Sequence, residues 1–256
     1  MIEKYSRHIV LGKIGNEGQK ILRSKKVLVV GLGGTRGFIA ELLTRAGIGT
    51  LYISDKDYVT SSNIHRQVLF SEKDTGKFKV DAARNYLKRL NFDVNINPIY
   101  DGITSSNVEE YVKIVDLVMD GTDNFITRYI INDACVKHYK PWIYTAAIAT
   151  YGSIMPIIPE KTACFRCLIK NVPASNDSCS SLGVLNSVPS AVASMAVSLA
   201  YKILLGYEIE SNLYYYDGWE LKFREIYVER QKTCPACSQK NFEFLSEKYS
   251  KINNSC

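Results

Sequence analysis

The chain has 256 residues, of which 46% are hydrophobic and 23% are charged. This length allows one large domain or two small ones with a substantial core, and the composition is that of a soluble globular protein. The formal net charge of +6 comes from Lys and Arg scattered along the chain, so it does not favour a nucleic-acid partner.

The first 25 residues predict a short N-terminal helical arm. They are polar and irregular and lack the charged-then-apolar pattern of a secretory leader, which favours a cytoplasmic protein. The most apolar stretch, residues 188–206, contains three serines and a lysine. We therefore expect a buried helix there and no association with a membrane.

Strand and helix signals alternate over residues 26–150. Short apolar runs that end in turn residues predict strands, and stretches with apolar residues three or four apart predict helices. The alternation predicts a Rossmann-like, doubly wound α/β fold with a mostly parallel sheet covered on both faces. The predicted elements are strands at 26–31, 50–55, 94–100, 116–123 and 141–148, and helices at 35–46, 76–91, 105–115 and 127–139.

The pattern changes after residue 150. Residues 151–159 and 212–231 predict antiparallel strands, with one long helix at about 188–205 between them. The mostly parallel sheet is therefore expected to continue into an antiparallel C-terminal part over residues 151–240. The tail at 241–256 has little apolar content and is expected to be disordered.

A glycine-rich turn follows the first predicted strand. Gly31, Gly33 and Gly34 stand between that strand and the next helix, where backbone N–H groups at a helix N-terminus favour a phosphate. Asp55 ends the second strand, where a carboxylate can bond the hydroxyls of a ribose. Nicotinamide-dependent oxidoreductases share this pattern, as do tight turns that hold no ligand, so both alternatives stay open.

The turn departs from the dinucleotide-binding fingerprint G-x-G-x-x-G at its third glycine. Arg36 stands at that position, and Gly37 follows one residue late. Glycine there lets the helix and the phosphate approach closely, so Arg36 either reaches over the phosphates or crowds the nucleotide. Both outcomes stay open.

Polar and charged side chains follow the second predicted strand. An enzyme that opens a triphosphate needs cations to neutralise the departing pyrophosphate, whereas a nicotinamide site needs no such arginine and lysine. A later strand ends in Asp120, Asp123 and Asn124, and an aspartate at such a strand end is a natural magnesium ligand. The set beyond the second strand consists of Asp55, Asp57, Asn63, Arg66, Gln67 and Lys79.

The cysteines divide into paired and single residues. The pairs are two CxxC motifs, and four thiolates satisfy tetrahedral zinc without leaving an open position, so we predict a structural zinc site. A disulfide or redox pair is the alternative. Cys179 lies alone in a polar segment, and Cys135 is expected to belong to the core. The predicted zinc ligands are Cys164, Cys167, Cys234 and Cys237.

In chain order these segments resemble the ThiF/MoeB/HesA family, the prokaryotic relatives of ubiquitin-activating (E1-like) enzymes. The resemblance covers about residues 3–240, and the NxxRQ element, DGTDN and the two CxxC pairs are far more specific than the glycine turn. The matching segments are KYSRHIVL, GLGG, SDKDYVTSSNIHRQ, GKFK, DGTDNFITRYIINDAC, CFRC and CPAC.

The resemblance implies an ATP site. Asp55 would hold the ribose, and Asp123 would position Mg²⁺. Asn63, Arg66 and Lys79 would bind the phosphates, with Gln67 beside them. The implied nucleotide-binding set is Gly31, Gly33, Gly34, Asp55, Asp57, Asn63, Arg66, Gln67, Lys79, Asp123 and Asn124.

Two further roles follow from the resemblance. Arg7 matches an arginine that family members insert into the active site of a partner subunit, which implies a homodimer with two composite sites. Cys179 matches a loop cysteine that in some relatives joins covalently to the carrier protein, while other relatives carry it without needing it. Arg7, Arg66, Lys79, Asp123 and Cys179 are thus the implied catalytic residues.

The resemblance also implies an activity, that of an ATP-dependent adenylyltransferase. It would convert the C-terminal glycine of a ubiquitin-like sulfur-carrier protein (ThiS- or MoaD-like, ending in Gly-Gly) into an acyl-adenylate, and a separate donor protein would then supply sulfur. Residues 26–150 would bind ATP, and residues 151–240 would cradle the carrier through the aromatic segment NLYYYDGWELKFRE and hold the zinc.

Several alternatives stay open at this point. Thiamine, molybdopterin, tRNA-thiolation and protein-conjugation pathways all use such carriers. A carrier-binding scaffold whose ATP site is disabled by Arg36 is a second class, and a nicotinamide-dependent oxidoreductase is a third. An activator of a short peptide is a more distant option within the same family.

Overall fold

The structure, a computed structural model that describes residues 3–172 and 182–250, contains one mixed sheet of eight strands. In chain order the strands are β1 (Lys26–Val30), β2 (Thr50–Ser54), β3 (Asn95–Ile99), β4 (Leu117–Asp120), β5 (Trp142–Ile148), β6 (Tyr151–Ile157), β7 (Asn212–Asp217) and β8 (Lys222–Tyr227). Their order across the sheet is β3-β2-β1-β4-β5-β6-β7-β8. The first five are parallel, and β6, β7 and β8 continue the sheet antiparallel, which confirms the predicted fold class.

Helices cover both faces of this sheet. Residues of α3, α4 and α8 form the core with one face, and residues of α5 and α6 form the core with the other. This two-faced burial is what a doubly wound fold requires. The helices of the described residues are α1 (Ser6–Ile9), α2 (Gly15–Ser24), α3 (Gly34–Ala46), α4 (Lys79–Leu90), α5 (Val108–Ile114), α6 (Phe125–Lys137), α7 (Phe165–Leu168) and α8 (Ser187–Leu204).

The strand β1 shows why the parallel part forms where the sequence predicts it. Its four apolar residues, 27–30, are all buried because helices cover both of its faces. An unbroken apolar run rich in β-branched valine is typical of such a central parallel strand. The chain then turns through glycines into α3, which ends at Gly47 in a left-handed conformation with a φ of +77°.

The helix α8 is the one helix of the described residues that is long and apolar enough to cross a membrane. It packs against α3, β5 and β6, and Val192, Ala196 and Ala200 on its inner side are fully buried. This packing makes α8 part of the core, as the serines in its sequence led us to expect.

The two proposed halves share one sheet. β5 and β6 pair from Trp142↔Ile157 to Ile148↔Tyr151, so the proposed boundary at residue 150 lies in the turn between two paired strands. Residues 241–250 of the expected tail are described and pack on the domain: Phe244 is buried and stacks on the Tyr129 ring at 4.6 Å.

A buried charged group holds this C-terminal segment against α6. Asp133 is fully buried, and its Oδ2 accepts a hydrogen bond from Phe244 N at 3.3 Å and lies 3.8 Å from Arg166 Nη1. Arg166 Nη2 in turn donates to Glu243 Oε1 at 2.8 Å. Burial raises the pKa of Asp133 to about 7, and the Arg166 charge offsets only part of that effect.

We expect Asp133→Asn to remove part of the pH dependence of stability. Because the pKa of this carboxyl is 3.8 in the unfolded chain and about 7 in the folded protein, the folded state keeps a proton that the unfolded state releases. The contribution of Asp133 to the free energy of unfolding therefore falls as the pH rises from about 4 to about 7. Urea unfolding at about pH 5.5 and about pH 8 measures this slope. The slope should be smaller in Asp133→Asn, and an equal slope in both proteins would contradict the assignment.

Candidate functional site

A cleft of about 530 Å³ opens at the carboxyl ends of β1, β2 and β4. This is the edge where open parallel sheets bind ligands, because the loops that follow neighbouring strands meet there. Every residue of the predicted nucleotide-binding set lines the cleft: Gly31, Gly33, Gly34, Asp55, Asp57, Asn63, Arg66, Gln67, Lys79, Asp123 and Asn124.

The glycine turn between β1 and α3 forms one wall of the cleft. Gly31 has a φ of +82°, in the left-handed region that favours glycine. Gly33 precedes α3, and no side chain caps the N-terminus of that helix. The amide N–H groups of the first turn are therefore free to bind an anion at the positive end of the helix dipole.

Asp55 joins this turn to the end of β2. Its Oδ2 accepts a hydrogen bond from Leu32 N at 2.7 Å, and its Oδ1 accepts one from Asp57 N at 2.9 Å. Lys79 Nζ lies 3.8 Å from Asp55 Oδ1 and 3.1 Å from Asp57 Oδ2. The two carboxylates thus hold the buried Lys79 ammonium at the cleft, where it can meet a more highly charged anion.

A short 3-10 turn, Ser61–Asn63, positions the next polar side chains. Asn63 Oδ1 accepts a hydrogen bond from Thr60 N at 3.1 Å, and Arg66 Nη1 donates to Ser62 O at 2.8 Å. Gln67 is buried, and its Oε1 has no hydrogen-bond partner among the described residues. A buried acceptor without a partner is costly, so this amide is a group that a ligand could satisfy.

The end of β4 supplies a buried and an exposed carboxylate. Asp120 is fully buried: its Oδ1 accepts from Thr122 N at 2.8 Å, and its Oδ2 lies 3.7 Å from Arg128 Nε. Asp120 therefore lies beneath the cleft and does not line it, whereas Asp123 lines the cleft and is exposed. Asn124 lines the cleft, but its Oδ1 accepts from Thr127 N at 2.8 Å and so caps α6.

The cleft is also lined by residues that the set predicted by sequence does not contain, among them Arg128 and Tyr144. The Arg128 guanidinium lies 4.9 Å from the centroid of the Tyr144 ring, and Nη2 donates to Thr122 O. Burial raises the pKa of Tyr144, although the Arg128 charge opposes this. Arg128 follows DGTDN by one helical turn, but its approach to Asp120 depends on how α6 packs, which the sequence pattern does not show.

Arg36, at the missing glycine of the fingerprint, also lines the cleft. The Arg36 side chain lies across the glycine turn. Its charge also acts on Asp120: burial raises the pKa of the Asp120 carboxyl, and the Arg128 and Arg36 charges offset part of that rise. The arginine is therefore an additional cation inside the site.

Arg7 does not line this cleft. It is exposed on α1 and lines a separate pocket of about 180 Å³ together with Tyr5, His8, Arg45 and Tyr201. Within one chain, Arg7 therefore takes no part in the arrangement around the glycine turn.

The two CxxC pairs come together on the other side of the sheet. Sγ–Sγ distances are 3.5 Å for Cys164 and Cys234, 3.5 Å for Cys167 and Cys237, and 3.9 Å within the first pair. All four sulfur atoms lie within 4.8 Å of one another. Zn–S bonds of about 2.3 Å in a tetrahedron place sulfur atoms about 3.8 Å apart, whereas a disulfide needs about 2.05 Å. The cluster therefore fits zinc as four thiolates.

Of the cysteines that the structure describes, Cys135 alone lies outside this cluster. Cys135 is fully buried in α6, as expected for a core residue, and burial raises its pKa well above the ordinary value. Cys179 lies outside the described residues. The described chain resumes at residue 182, and Val184 and Pro189 line the cleft.

Comparison with known proteins gives consistent matches. The ThiF family model matches residues 5–236. The sulfur carrier protein ThiS adenylyltransferase of Bacillus subtilis is 36% identical over 250 residues, which covers 96% of this chain and 74% of that protein. The SAMP-activating enzyme E1 of Haloferax volcanii is 33% identical over 250 residues, which covers 96% of this chain and 92% of that protein.

Solved structures show the same fold. Escherichia coli MccB in its structure with MccA-N7isoASN gives a TM-score of 0.82 at 22% identity, covering 93% of this chain and 75% of that chain. The structure of MccB with ATP gives a TM-score of 0.79 at 23% identity, covering 91% of this chain and 74% of that chain. At these identities the likeness extends to the fold alone.

Proposed function

The chain belongs to the ThiF family and is an E1-like adenylyltransferase, and we propose that it activates the C-terminal glycine of a ubiquitin-like sulfur-carrier protein with ATP. The names of the two relatives refer to different carriers, ThiS and SAMP, and they support this class of substrate without selecting a pathway.

The observation that carries the proposal is the arrangement of charge around the glycine turn. An uncapped helix N-terminus, the Arg66 guanidinium and the buried Lys79 ammonium line the same cleft. Donors of this number and kind in one cleft can contact more phosphate groups than the diphosphate bridge of a nicotinamide cofactor offers, so they suit a triphosphate better. Asp55, at the end of β2, stands where a carboxylate can bind a ribose.

The proposed reaction needs no side-chain nucleophile. A carboxylate oxygen of the terminal glycine attacks the α-phosphorus of ATP, a new O–P bond forms, and the bond to the β-phosphate oxygen breaks as pyrophosphate leaves. The chain's own residues orient the two substrates and offset the charge of the leaving group, Lys79 and Arg66 foremost. The carrier then ends in an acyl-adenylate that a sulfur nucleophile can displace.

The cleft also fits a divalent cation beside the phosphates. Mg²⁺ prefers oxygen ligands and keeps several waters, and Asp123, which lines the cleft, offers an exposed carboxylate. Asp120 does not offer one, because it is buried against Arg128. When bound, the cation would neutralise phosphate charge, and Asp123 would hold it.

The test is to trap the product. The purified protein is incubated with ATP, magnesium and the Bacillus subtilis ThiS carrier, and hydroxylamine is then added. Mass spectrometry should find the carrier with a C-terminal hydroxamate, and only when ATP is present. Unmodified carrier, from a protein that binds both ATP and carrier, would favour the alternative of a carrier-binding scaffold.

We further propose that the active form is a homodimer, with Arg7 completing the cleft of the partner. Arg7 is exposed and lies outside the cleft of its own chain, and the N-terminal arm presents Val10 and Leu11 to solvent. Exposed apolar side chains and an exposed arginine on the same arm suit an interface with a second copy.

The carrier is proposed to bind at the β7–β8 hairpin. β8 is the edge strand of the sheet, and all of its residues are exposed. Apolar side chains also protrude from the hairpin, which monomeric proteins rarely leave uncovered. We define the hairpin surface as Trp219, Leu221, Phe223, Ile226 and Tyr227.

We expect Phe223→Ser to weaken carrier binding by about 10-fold, because an aromatic side chain at an interface contributes about 1–2 kcal/mol. ATP affinity should stay unchanged, since Phe223 does not line the cleft. Phe92→Ser is the matched control, because Phe92 is 77% exposed and lies away from the hairpin surface. Calorimetric titration with the carrier measures both variants. Equal carrier affinities for Phe223→Ser and Phe92→Ser would contradict the proposed binding of the carrier at the hairpin surface.

A further inference from the structure

The Arg36 side chain folds back across the glycine turn. A Cβ added at Gly31 would lie 2.7 Å from Arg36 Cζ, and one added at Gly33 would collide with Arg36 Nη2. A Cβ added at Gly121, after β4, would lie 3.1 Å from Arg36 Cγ. These three glycines therefore make room for the arginine, so it is accommodated inside the site rather than forced into it.

The Arg36 guanidinium has unused hydrogen-bonding capacity within the described residues. Arg36 makes no salt bridge there, and its Nε is buried without a hydrogen-bond partner. The buried Asp120 carboxylate lies 3.7 Å from Arg128 Nε, so its contact partner is Arg128. A buried donor without an acceptor is costly, so the Arg36 side chain is a group that an anion in the cleft could satisfy.

We propose that Arg36 is a phosphate ligand that replaces the third glycine of the fingerprint, and that it binds the phosphate lying against the glycine turn. Under the proposed function, on which this inference rests, that group is the α-phosphate, the one that is attacked. The guanidinium lies against Gly31 and Gly33, and Gly33 immediately precedes the first amide N–H groups of α3. An arginine can bind two phosphate oxygens at once, and phosphate would supply the acceptor that Nε lacks.

Three ligands separate this role from simple crowding. Adenosine carries no phosphate, AMP carries only the α-phosphate, and ATP carries all three. Equilibrium binding of each is measured by calorimetry to the wild-type chain, Arg36→Ala and Arg36→Lys. Arg84→Ala is the matched control, because Arg84 is exposed on α4 and does not line the cleft.

For Arg36→Ala we expect AMP and ATP to bind about 10- to 100-fold more weakly, the loss of one charge-assisted interaction, with adenosine within about twofold of the wild type. The affinity of Arg36→Lys for AMP and ATP should lie between those of the wild type and Arg36→Ala, since lysine keeps the charge and loses the paired donors. Tighter binding of all three ligands by Arg36→Ala would show that the arginine crowds the nucleotide. An equal loss for all three, or no loss at all, would show a structural or neutral role. Any of these outcomes overturns the inference.

The same variants distinguish this inference from the proposed function. If Arg36→Ala loses phosphate-dependent binding while the wild type modifies no carrier, the inference stands and the proposed function fails. If Arg36→Ala binds AMP like the wild type and the wild type adenylates the carrier, the proposed function stands and the inference fails.

Discussion

Replacing Lys79 with methionine is expected to reduce carrier-dependent ATP–pyrophosphate exchange by about 100- to 1,000-fold. The buried Lys79 ammonium lies near Asp55 and Asp57 and lines the cleft, so it is already shielded from solvent beside the proposed phosphate site. A cation in such a site stabilises the charge that develops on the departing pyrophosphate far more than an exposed one does. Methionine keeps most of the side-chain volume and removes only the charge.

Lys77→Met is the matched control for this change. Lys77 precedes Lys79 by two residues, but it is exposed and pairs with Asp74 at 2.9 Å on the surface. Its loss should leave the exchange rate within about twofold, because exposed ion pairs contribute little. Arg66→Ala provides an independent second variant with the same expected direction. Near-normal exchange in a folded Lys79→Met protein would contradict the role given to this lysine.

Replacing Cys237 with serine is expected to lower the free energy of unfolding by about 4 kcal/mol or more. The four sulfur atoms of the cluster lie within 4.8 Å of one another, and zinc would join α7 to the segment after β8. Without zinc, four thiols would crowd one another, and the packing of the nearby Arg166 and Phe244 side chains would weaken. We therefore propose a structural role for this metal and no part in catalysis.

Metal analysis and urea unfolding test this stability prediction together. Wild-type protein should contain about one zinc per chain, and Cys237→Ser should lose most of it along with the stability. Cys256→Ser, which keeps all four cluster cysteines, should leave both quantities unchanged. A wild-type protein without zinc, or a variant as stable as the wild type, would contradict the account.

The sequence predicts the cleft well for a physical reason. The polar residues that bind nucleotides follow the ends of successive parallel strands, and those ends lie at one edge of the sheet. Asp55 after β2 and Asp123 after β4 are therefore brought together by topology alone, without any knowledge of side-chain packing. The two CxxC pairs are predictable for a different reason: each motif presents two sulfur atoms from one turn, and two such turns supply the four ligands of a zinc site.

Other features depend on packing that no short pattern encodes. Arg128, in the first turn of α6, reaches Asp120 because this helix begins close to the end of β4. The segment around Phe244 has too few apolar residues to predict burial, yet the Asp133–Arg166 contact and the Tyr129 ring hold it in place. The direction of the Arg36 side chain is decided by the space above Gly31 and Gly33, which the fingerprint itself does not describe.

The most direct test of the central claim is ATP–pyrophosphate exchange with and without a carrier. The assay uses the wild-type chain, ThiS- and MoaD-like carriers that end in Gly-Gly, and the same carriers without the last glycine. The account predicts exchange only when ATP and an intact carrier are both present, because the terminal carboxylate is the attacking group. Exchange that does not depend on the carrier, or ATP binding with no exchange for any carrier, would contradict it.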